Sequence, residues 1–331
     1  MKRKILALTM AAVMALGLCA CGGSTGGDAP AEEGGAVSLK MATGGTSGTY
    51  YGFSSVVANV LNEKLADTLN ITVESTGASA ANIDLVETGA NELAIVQNDV
   101  MYYAISGTDM YADKAPYENY SAVMSCYPEY VQIIANKSIT SIEDLKGKKV
   151  SVGDAGSGVE FNARQILAAY GIDIENDIEK NNQGFADSAD SLKNGTIDAA
   201  FVVAGYPTVA VSELASTYDF NILAVDEEHA KALMDDYGFY TYGVIPGGTY
   251  GPVAEDVPAV AVMATIIARK DVPEDTIYAL VKGIFDNQAD IEVAHAKGAE
   301  LSLETAVSGI DIDFHPGATK YFTEVGAMAA E

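Results

Sequence analysis

From about Val37 onward, short apolar runs alternate with segments whose apolar residues recur every three to four positions. The short runs predict β-strands, and the wider spacing predicts amphipathic helices. In the first predicted helix, residues 50–65, Phe53, Val56 and Val57 show this spacing. Strands that alternate with helices are typical of an α/β sheet covered by helices on both faces.

The predicted elements come in two series. The first contains strands 38–43, 71–75 and 93–96, with helices 50–65 and 80–87. The second restarts near Tyr130 and contains strands 130–135, 149–152, 197–203, 221–225 and 259–268, with a helical turn at 141–145 and helices ending at Tyr170, Leu214 and Tyr237. Two last helices are predicted at 273–288 and 316–329.

Because the pattern occurs twice, we expect an α/β fold with two lobes, each a mostly parallel sheet flanked by helices. A chain of 331 residues is long enough for two domains. Lobe 1 is expected to contain residues 37–129 and 270–331, since the last helices should return to it. Lobe 2 is expected to contain residues 130–269, including the hinge strands. The segments 130–136 and 259–269 are the best candidates for the crossings between lobes.

The N-terminus has the pattern of a secretory signal. Lys2, Arg3 and Lys4 precede the apolar stretch Ile5–Leu18, which is too short to span a membrane as a helix. The segment Leu18-Cys19-Ala20-Cys21 resembles a bacterial lipobox. This resemblance implies a lipoprotein signal peptide at residues 1–20 and lipidation of Cys21. An ordinary signal peptide with two incidental cysteines is the alternative.

Residues 21–36 are rich in Gly, Ser, Ala, Glu and Pro, and we expect them to form a flexible tether. With two or three acyl chains on Cys21, the protein would be stably anchored to a membrane. The expected location is therefore extracytoplasmic, in a periplasm or on the outer face of the cytoplasmic membrane. Cys126 would be the one cysteine left besides Cys21, and a buried structural role is expected for it.

Composition narrows the function further. Apolar residues make up 49% of the chain, charged residues 20%, and the net charge is −27. The chain has three arginines, Arg3, Arg164 and Arg269. Nucleic-acid binding is excluded by this balance, because phosphate contacts need clustered Lys and Arg. We expect a soluble folded part that is monomeric.

Three strand-to-helix corners carry the candidate binding chemistry. They are Thr43–Thr49, Gly153–Gly158 and Gly205–Pro207. Open α/β sheets bind ligands at this edge, where the first N–H groups of a helix have no partner and favour an anion. Glycine admits a ligand close to the backbone, and Ser or Thr adds hydroxyl groups. For Ser157, a purely structural role stays open, because Ser157 and Glu160 fit a capping box.

Two neighbouring features extend this site. Tyr50 opens the helix after the first corner, and tyrosine offers an apolar body with a polar tip to a small organic ligand. Gln97 follows a buried strand and could bind an amide, a carboxylate or an amine. The residues expected to bind the ligand are Thr43, Gly45, Thr46, Thr49, Tyr50, Gln97, Ser157, Gly158 and Gly205.

Several stretches together resemble the TAXI class of solute-binding proteins, which serve TRAP transporters. They are the opening motif at 42–51, the motif at 93–99, the lobe 2 segment 142–158, the motif 195–207 and the helix start 272–280. The resemblance covers roughly residues 37–325. It implies the type II periplasmic binding fold, no catalysis, no cofactor, and a TRAP membrane permease as partner. It also implies a small carboxylate-bearing solute, glutamate-like or glutamine-like or another organic acid, captured by hinge closure.

Other functions are compatible with parts of the sequence. A solute-binding protein of an ABC importer would have the same fold and is the main alternative, and a ligand-sensing module is a remote one. An enzyme is disfavoured, because His229, His295 and His315 are scattered without metal-ligand spacing and no GxSxG, Walker A or GxGxxG motif occurs. No metal site is expected. Arg164 lies about two turns into its helix, so its part in binding is left open.

Overall fold

The structure is a computed structural model that describes residues 35–329. The predicted signal peptide 1–20, the predicted lipidation site Cys21 and nearly all of the predicted tether lie outside the described residues. Within residues 35–329 no helix is both long enough and apolar enough to cross a lipid bilayer.

Between residues 35 and 329, ten strands form one sheet. Their bounds are β1 Val37–Ala42, β2 Leu69–Glu74, β3 Leu93–Gln97, β4 Tyr120–Asn136, β5 Lys149–Ser151, β6 Glu179–Asn181, β7 Ala199–Ala204, β8 Phe220–Leu223, β9 Thr241–Ile245 and β10 Val257–Arg269. The order across the sheet is β2-β1-β3-β10-β4-β7-β5-β6, with β8 paired to β4 and β9 paired to β10.

Helices cover this sheet. Their bounds are α1 Thr49–Lys64, α2 Ser79–Glu87, α3 Asn98–Ser106, α4 Gly158–Ala169, α5 Phe185–Lys193, α6 Val209–Ala215, α7 Glu227–Tyr237, α8 Glu274–Asp286, α9 Gln288–Ala294, α10 Leu303–Ala306 and α11 Pro316–Glu324. Short 3-10 turns lie at Asp109–Tyr111, Glu143–Leu145 and Ala296–Glu300. The predicted α/β class is confirmed.

The sheet is mixed, because two long antiparallel strands run through its middle. β4 has 17 residues and β10 has 13, and they pair with each other along most of their length. The parallel pairs lie outside them, β1 with β2 and β3 on one side and β5 with β6 and β7 on the other. The parallel character expected of each half is therefore found away from these two strands.

The buried apolar residues form separate cores on the two halves of the sheet. One half holds Leu39, Phe53 and Ile95 together with Ile277 and Phe322 from the end of the chain. The other half has a core that includes Val150, Ile166, Phe201, Leu223 and Val260. We refer to residues 35–127 with 264–329 as region 1 and to residues 130–262 as region 2. β4 and β10 contribute to both.

Six elements were absent from the prediction: α3, α5, α9, α10, β6 and β9. α3 begins with Asn98 and Asp99, which favour turns when judged locally, although both are buried in the fold. β6 has three residues and none of them is fully buried, so it leaves no apolar pattern. The predicted boundaries of the other elements are within a few residues of those observed, apart from the much longer β4.

Candidate functional site

A cavity lies where the two regions meet. Region 1 contributes the corner before α1, the start of α2 and the end of β3, and region 2 contributes the starts of α4 and α5 and the end of β7. Glu129 of β4, at the crossing between regions, completes the wall. The lining residues are Gly44, Gly45, Ser47, Gly48, Thr49, Tyr50, Ala78, Ser79, Gln97, Glu129, Asp154, Ser157, Gly158, Val159, Gly184, Phe185, Val203 and Ala204.

Four helices begin at this cavity: α1, α2, α4 and α5. The residues that precede α1, α2 and α5 are Gly48, Ala78 and Gly184, and none of them caps its helix through a side chain. Ser157 does cap α4, since its hydroxyl oxygen accepts the backbone N–H of Glu160 at 3.3 Å. An uncapped N-terminus keeps unpaired N–H groups and carries about half a positive elementary charge. This part of the wall is suited to an anionic group.

Hydrogen bonds join the regions beside the first corner. The Thr49 hydroxyl donates to the carbonyl oxygen of Gly205 at 2.9 Å, and the Ala210 N–H donates to the carbonyl oxygen of Ser47 at 3.2 Å. Gly205 is packed tightly, because a Cβ there would lie 2.5 Å from Cε of Lys297. Lys297 belongs to region 1, so region 1 holds the Gly205 turn from two sides.

A second set of hydrogen bonds joins the regions at α3 and α4. The Gln97 side-chain amide donates to Asn162 Oδ1 at 3.0 Å, and Asn162 Nδ2 donates to Asp99 Oδ2 at 3.0 Å and to the Tyr240 hydroxyl at 2.9 Å. Burial raises the pKa of the Asp99 carboxyl to about 6, and its bonds to Val100 N–H and Asn162 oppose the shift. The cavity is therefore closed by polar contacts at two separate places.

Glu129 is the buried carboxyl of the cavity wall. It is 2% exposed, and the Tyr50 hydroxyl donates to its Oε2 at 2.6 Å. Burial raises the pKa of the Glu129 carboxyl well above its usual range, the Tyr50 hydrogen bond opposes this, and the charge of Asp99 adds to it. Burial therefore disfavours the charged form of this carboxyl.

Six of the nine residues predicted to bind the ligand lie on the cavity wall: Gly45, Thr49, Tyr50, Gln97, Ser157 and Gly158. Three do not. Thr43 is buried, and its hydroxyl donates to the carbonyl oxygen of Glu74 at 2.7 Å. Thr46 is exposed at the surface of the corner, and Gly205 lies behind the wall as the acceptor for Thr49.

Arg164 points away from the cavity. Its guanidinium donates to Glu175 Oε1 at 2.8 Å in an exposed ion pair. The wall residues that sequence reasoning missed include Glu129, Asp154 and Phe185. A signal existed for Glu129, because it is an acidic residue between apolar neighbours in the run from Cys126 to Ile134.

The free space inside the cavity is about 60 Å³, measured as the volume open to the centre of a water molecule. Since one water molecule takes about 10–15 Å³ on this measure, the space holds about four to six of them. A small organic molecule with a handful of non-hydrogen atoms fills such a space. Larger solutes would require a wider cleft.

One known protein family matches the sequence over the residues that form this site. A model of the NMT1-like family matches residues 41–326. The chain belongs to the NMT1-like family. The matched span takes in the whole cavity wall and both long strands, so the family covers the site as well as the fold.

Several solved structures are similar to this chain at low sequence identity. A protein of Bordetella bronchiseptica RB50 is 16% identical, with a TM-score of 0.52, over 89% of this chain and 90% of that one. A putative L-cystine ABC transporter from Listeria monocytogenes is 15% identical, with a TM-score of 0.50, over 80% of this chain and 98% of that one. The alkanesulfonate-binding protein SsuA from Xanthomonas axonopodis pv. citri, bound to MOPS, is 15% identical, with a TM-score of 0.48, over 89% and 81%.

The broader part of the sequence-based prediction, a periplasmic solute-binding type of protein, is supported by these findings. Membership of the TAXI class stays a prediction, since the family found is the NMT1-like one. Within the described residues, no group of three or more His, Cys, Asp or Glu side chains is placed to hold a metal ion.

Proposed function

We propose that this chain is an extracytoplasmic solute-binding protein that captures a small carboxylate-bearing solute between two lobes and delivers it to an ABC importer. The observation that carries the proposal is a small cavity whose wall is built by both regions. The wall is closed by hydrogen bonds between the regions, at Thr49 with Gly205 and at Gln97 with Asn162. Binding, and not catalysis, is the function proposed.

The carboxylate of the solute is assigned to the uncapped helix starts. The N–H groups that follow Gly48, Ala78 and Gly184 face the cavity without a side-chain cap. Backbone N–H groups at a helix start bind anions without help from an arginine. This assignment agrees with the position of Arg164, which is engaged with Glu175 at the surface.

Capture is proposed to occur by hinge closure. β4 and β10 are the two strands that run through both regions, and residues Tyr127–Tyr130 of β4 pair with Ala261–Ala264 of β10 at the crossing. Bending there would separate the walls of the cavity, with region 1 acting as lobe 1 and region 2 as lobe 2. A solute that contacts both walls favours the closed state by its differential affinity for the two states.

The importer class rests on the comparisons. The family match and the likeness to a putative L-cystine ABC transporter favour an ABC importer over the TRAP permease expected from the motifs. A TRAP permease remains the second candidate, and the observation that favours it is the resemblance of residues 42–51 and 93–99 to TAXI motifs. Anchoring through lipidated Cys21 is part of the proposal and accords with either partner.

Native mass spectrometry tests the binding function. The intact protein is expected to carry a bound small molecule of low mass, which is released on denaturation and can be identified. Small-angle X-ray scattering should then show a more compact protein with that molecule than after its removal. If no small molecule from a broad metabolite mixture binds or compacts the protein, the proposed function is wrong.

Cross-linking in the native membrane decides between the partners. An ABC importer predicts cross-links to a permease that co-purifies with an ATPase. A TRAP transporter predicts cross-links to a large permease without an ATPase.

A further inference from the structure

A lysine is buried between the two regions, next to the cavity but outside its wall. Lys297 is 2% exposed and is not among the residues that line the cavity. A lysine buried this deeply costs free energy unless its charge has a partner. The partner is Glu300, whose Oε1 lies 2.5 Å from Lys297 Nζ. Both residues belong to region 1, so this ion pair does not explain why the lysine reaches region 2.

The ammonium group of Lys297 also faces an aromatic ring of region 2. Its Nζ lies 4.7 Å from the centre of the Tyr206 ring and 5.8 Å from the centre of the Tyr127 ring. Both distances are within the range of about 6 Å at which an aromatic face attracts a cation, and the attraction is stronger where water is excluded. Because Tyr127 belongs to region 1 and Tyr206 to region 2, the lysine contacts rings on both sides of the boundary.

The stem of Lys297 packs against the turn that carries Tyr206. A Cβ on Gly205 would lie 2.5 Å from Lys297 Cε and 3.2 Å from both Thr49 Cγ2 and Tyr127 Cε2. A glycine is therefore needed for the side chains of region 1 to approach the turn this closely. The end of β7 lines the cavity directly before this turn, so the position of the turn sets the position of that part of the wall.

Both sides of this contact are fixed within their own regions. The 3-10 turn that carries Lys297 is held by Gln288, whose side-chain amide donates to the carbonyl oxygen of Gly298 at 3.1 Å. In region 2 the Thr208 N–H donates to the Tyr250 hydroxyl at 2.8 Å. Neither partner can follow the other by a local rearrangement when the regions separate, so opening parts the ammonium group from the ring of region 2.

We propose that Lys297 is a positioning residue for closure: its ammonium group, held by Glu300 in region 1, binds the Tyr206 ring of region 2 and stabilises the closed cavity without touching the solute. This inference rests on the proposed function, because it assigns a role in hinge closure. Removing the charge should shift the balance toward the open state by about 5- to 30-fold, as expected for a cation–π contact shielded from water. Solute affinity should fall by up to the same factor, since capture needs the closed state.

Hydrogen exchange followed by NMR tests this role at a single amide. The Ala210 N–H donates to the carbonyl oxygen of Ser47 across the two regions at 3.2 Å, so it is protected while the regions are together. In the protein as purified, Lys297→Met should raise the exchange rate of the Ala210 amide about 5- to 30-fold, because methionine keeps the apolar stem and loses the charge. Amides in β3 and β7 should keep their wild-type rates, since each region stays folded.

Variants of the partner in region 2 make the test independent of the buried lysine. Tyr206→Leu should raise the same exchange rate, whereas Tyr206→Phe keeps the ring and should stay within about twofold of the wild type. In the Tyr206→Leu background, Lys297→Met should add little, because the two side chains act as a pair. Lys320→Met is the matched control: Lys320 Nζ lies 5.2 Å from the centre of the Tyr278 ring, both inside region 1, and its loss should leave the Ala210 amide unchanged.

The assignment is wrong if the Ala210 amide is unprotected in the wild type, or if Lys297→Met and Tyr206→Leu leave its exchange unchanged. Faster exchange in Lys297→Met that persists in full in the Tyr206→Leu background would also refute it, since the ring would then not be the partner. Native mass spectrometry separates this inference from the proposed function. A bound solute together with unchanged Ala210 exchange would refute the role of Lys297 and leave the solute-binding function standing. Exchange that responds as expected in a protein that binds no small molecule would refute the function and leave the contact between the regions.

Discussion

Replacing Gly158 with alanine should place a wedge between the two regions. Gly158 is the first residue of α4, and a Cβ there would lie 2.7 Å from Cδ of Gln97 and 2.9 Å from Cγ2 of Val100, and closer still to Gln97 Oε1. Both partners belong to region 1, whereas α4 belongs to region 2. Contacts this short do not occur for real Cβ atoms, so one side has to move.

The cost of the wedge can be bounded. Inserting a methyl group into a well-packed site costs about 1–3 kcal/mol. Because the clash exists only when the regions are together, this cost falls on closure and not on the folding of either region. It corresponds to a shift of about 5- to 150-fold in the equilibrium between closed and open states and in solute affinity.

Small-angle X-ray scattering and calorimetry together measure this effect. Gly158→Ala should increase the radius of gyration of the solute-bound protein and weaken solute binding, while urea unfolding of the solute-free protein changes little. Gly52→Ala is the control, since Gly52 is inside α1 and a Cβ there would make only an ordinary contact, 3.5 Å from Nε2 of His295. Unchanged scattering and affinity in Gly158→Ala would refute the view that this glycine is required for closure.

Three further changes have defined outcomes. Thr49→Val keeps the shape but removes one of the two hydroxyl donors to the Gly205 carbonyl, the other being Thr208 at 3.0 Å, which should disfavour closure by about 0.5–1.5 kcal/mol, seen as more open protein in scattering. Ser157→Ala should cost about 1 kcal/mol in the free energy of unfolding measured with urea, because α4 loses its cap; an unchanged midpoint would contradict this. Asp99 has a folded-state pKa of about 6, above its unfolded value of about 3.9, so the folded protein binds this proton more tightly than the unfolded chain does. The contribution of Asp99 to the free energy of unfolding therefore decreases by about 3 kcal/mol as the pH rises from about 4 to about 6. Asp99→Asn should remove that decrease. If the free energy of unfolding of the variant depends on pH in the same way as that of the wild type, Asp99 is not the group with the raised pKa.

Much of the fold could be predicted because the buried strands and helices have strong local patterns. β3 and β7 are buried throughout; β7 is a continuous apolar run, and β3 is apolar up to Gln97, its last residue. α1 repeats its apolar positions with helical spacing. The full length of β4 was not predictable in this way. Pro128 interrupts it, and proline within an apolar run argues against a continuous central strand, since it has no N–H to donate. Pairing with β10 overrides that local signal.

The site was predictable only in part, because it depends on distant pairings. The corners before α1 and α4 are recognisable in the sequence by their Gly and hydroxyl residues, and both are on the cavity wall. Nothing local distinguishes Thr46, which is exposed, from Thr49, whose hydroxyl crosses to Gly205. Glu129 and Phe185 join the wall through the pairing of β4 and the position of α5, which a single sequence pattern does not specify.

Region 1 is assembled from both ends of the chain. Its core combines Leu39 and Phe53 with Ile277, Leu280 and Phe322, so the sequence of region 2 is inserted between the two parts of region 1. During synthesis from the N-terminus, region 2 can therefore fold before region 1 is complete. Region 1 can fold only after its last helices have been synthesised, and until then its apolar residues remain accessible to chaperones and to proteases.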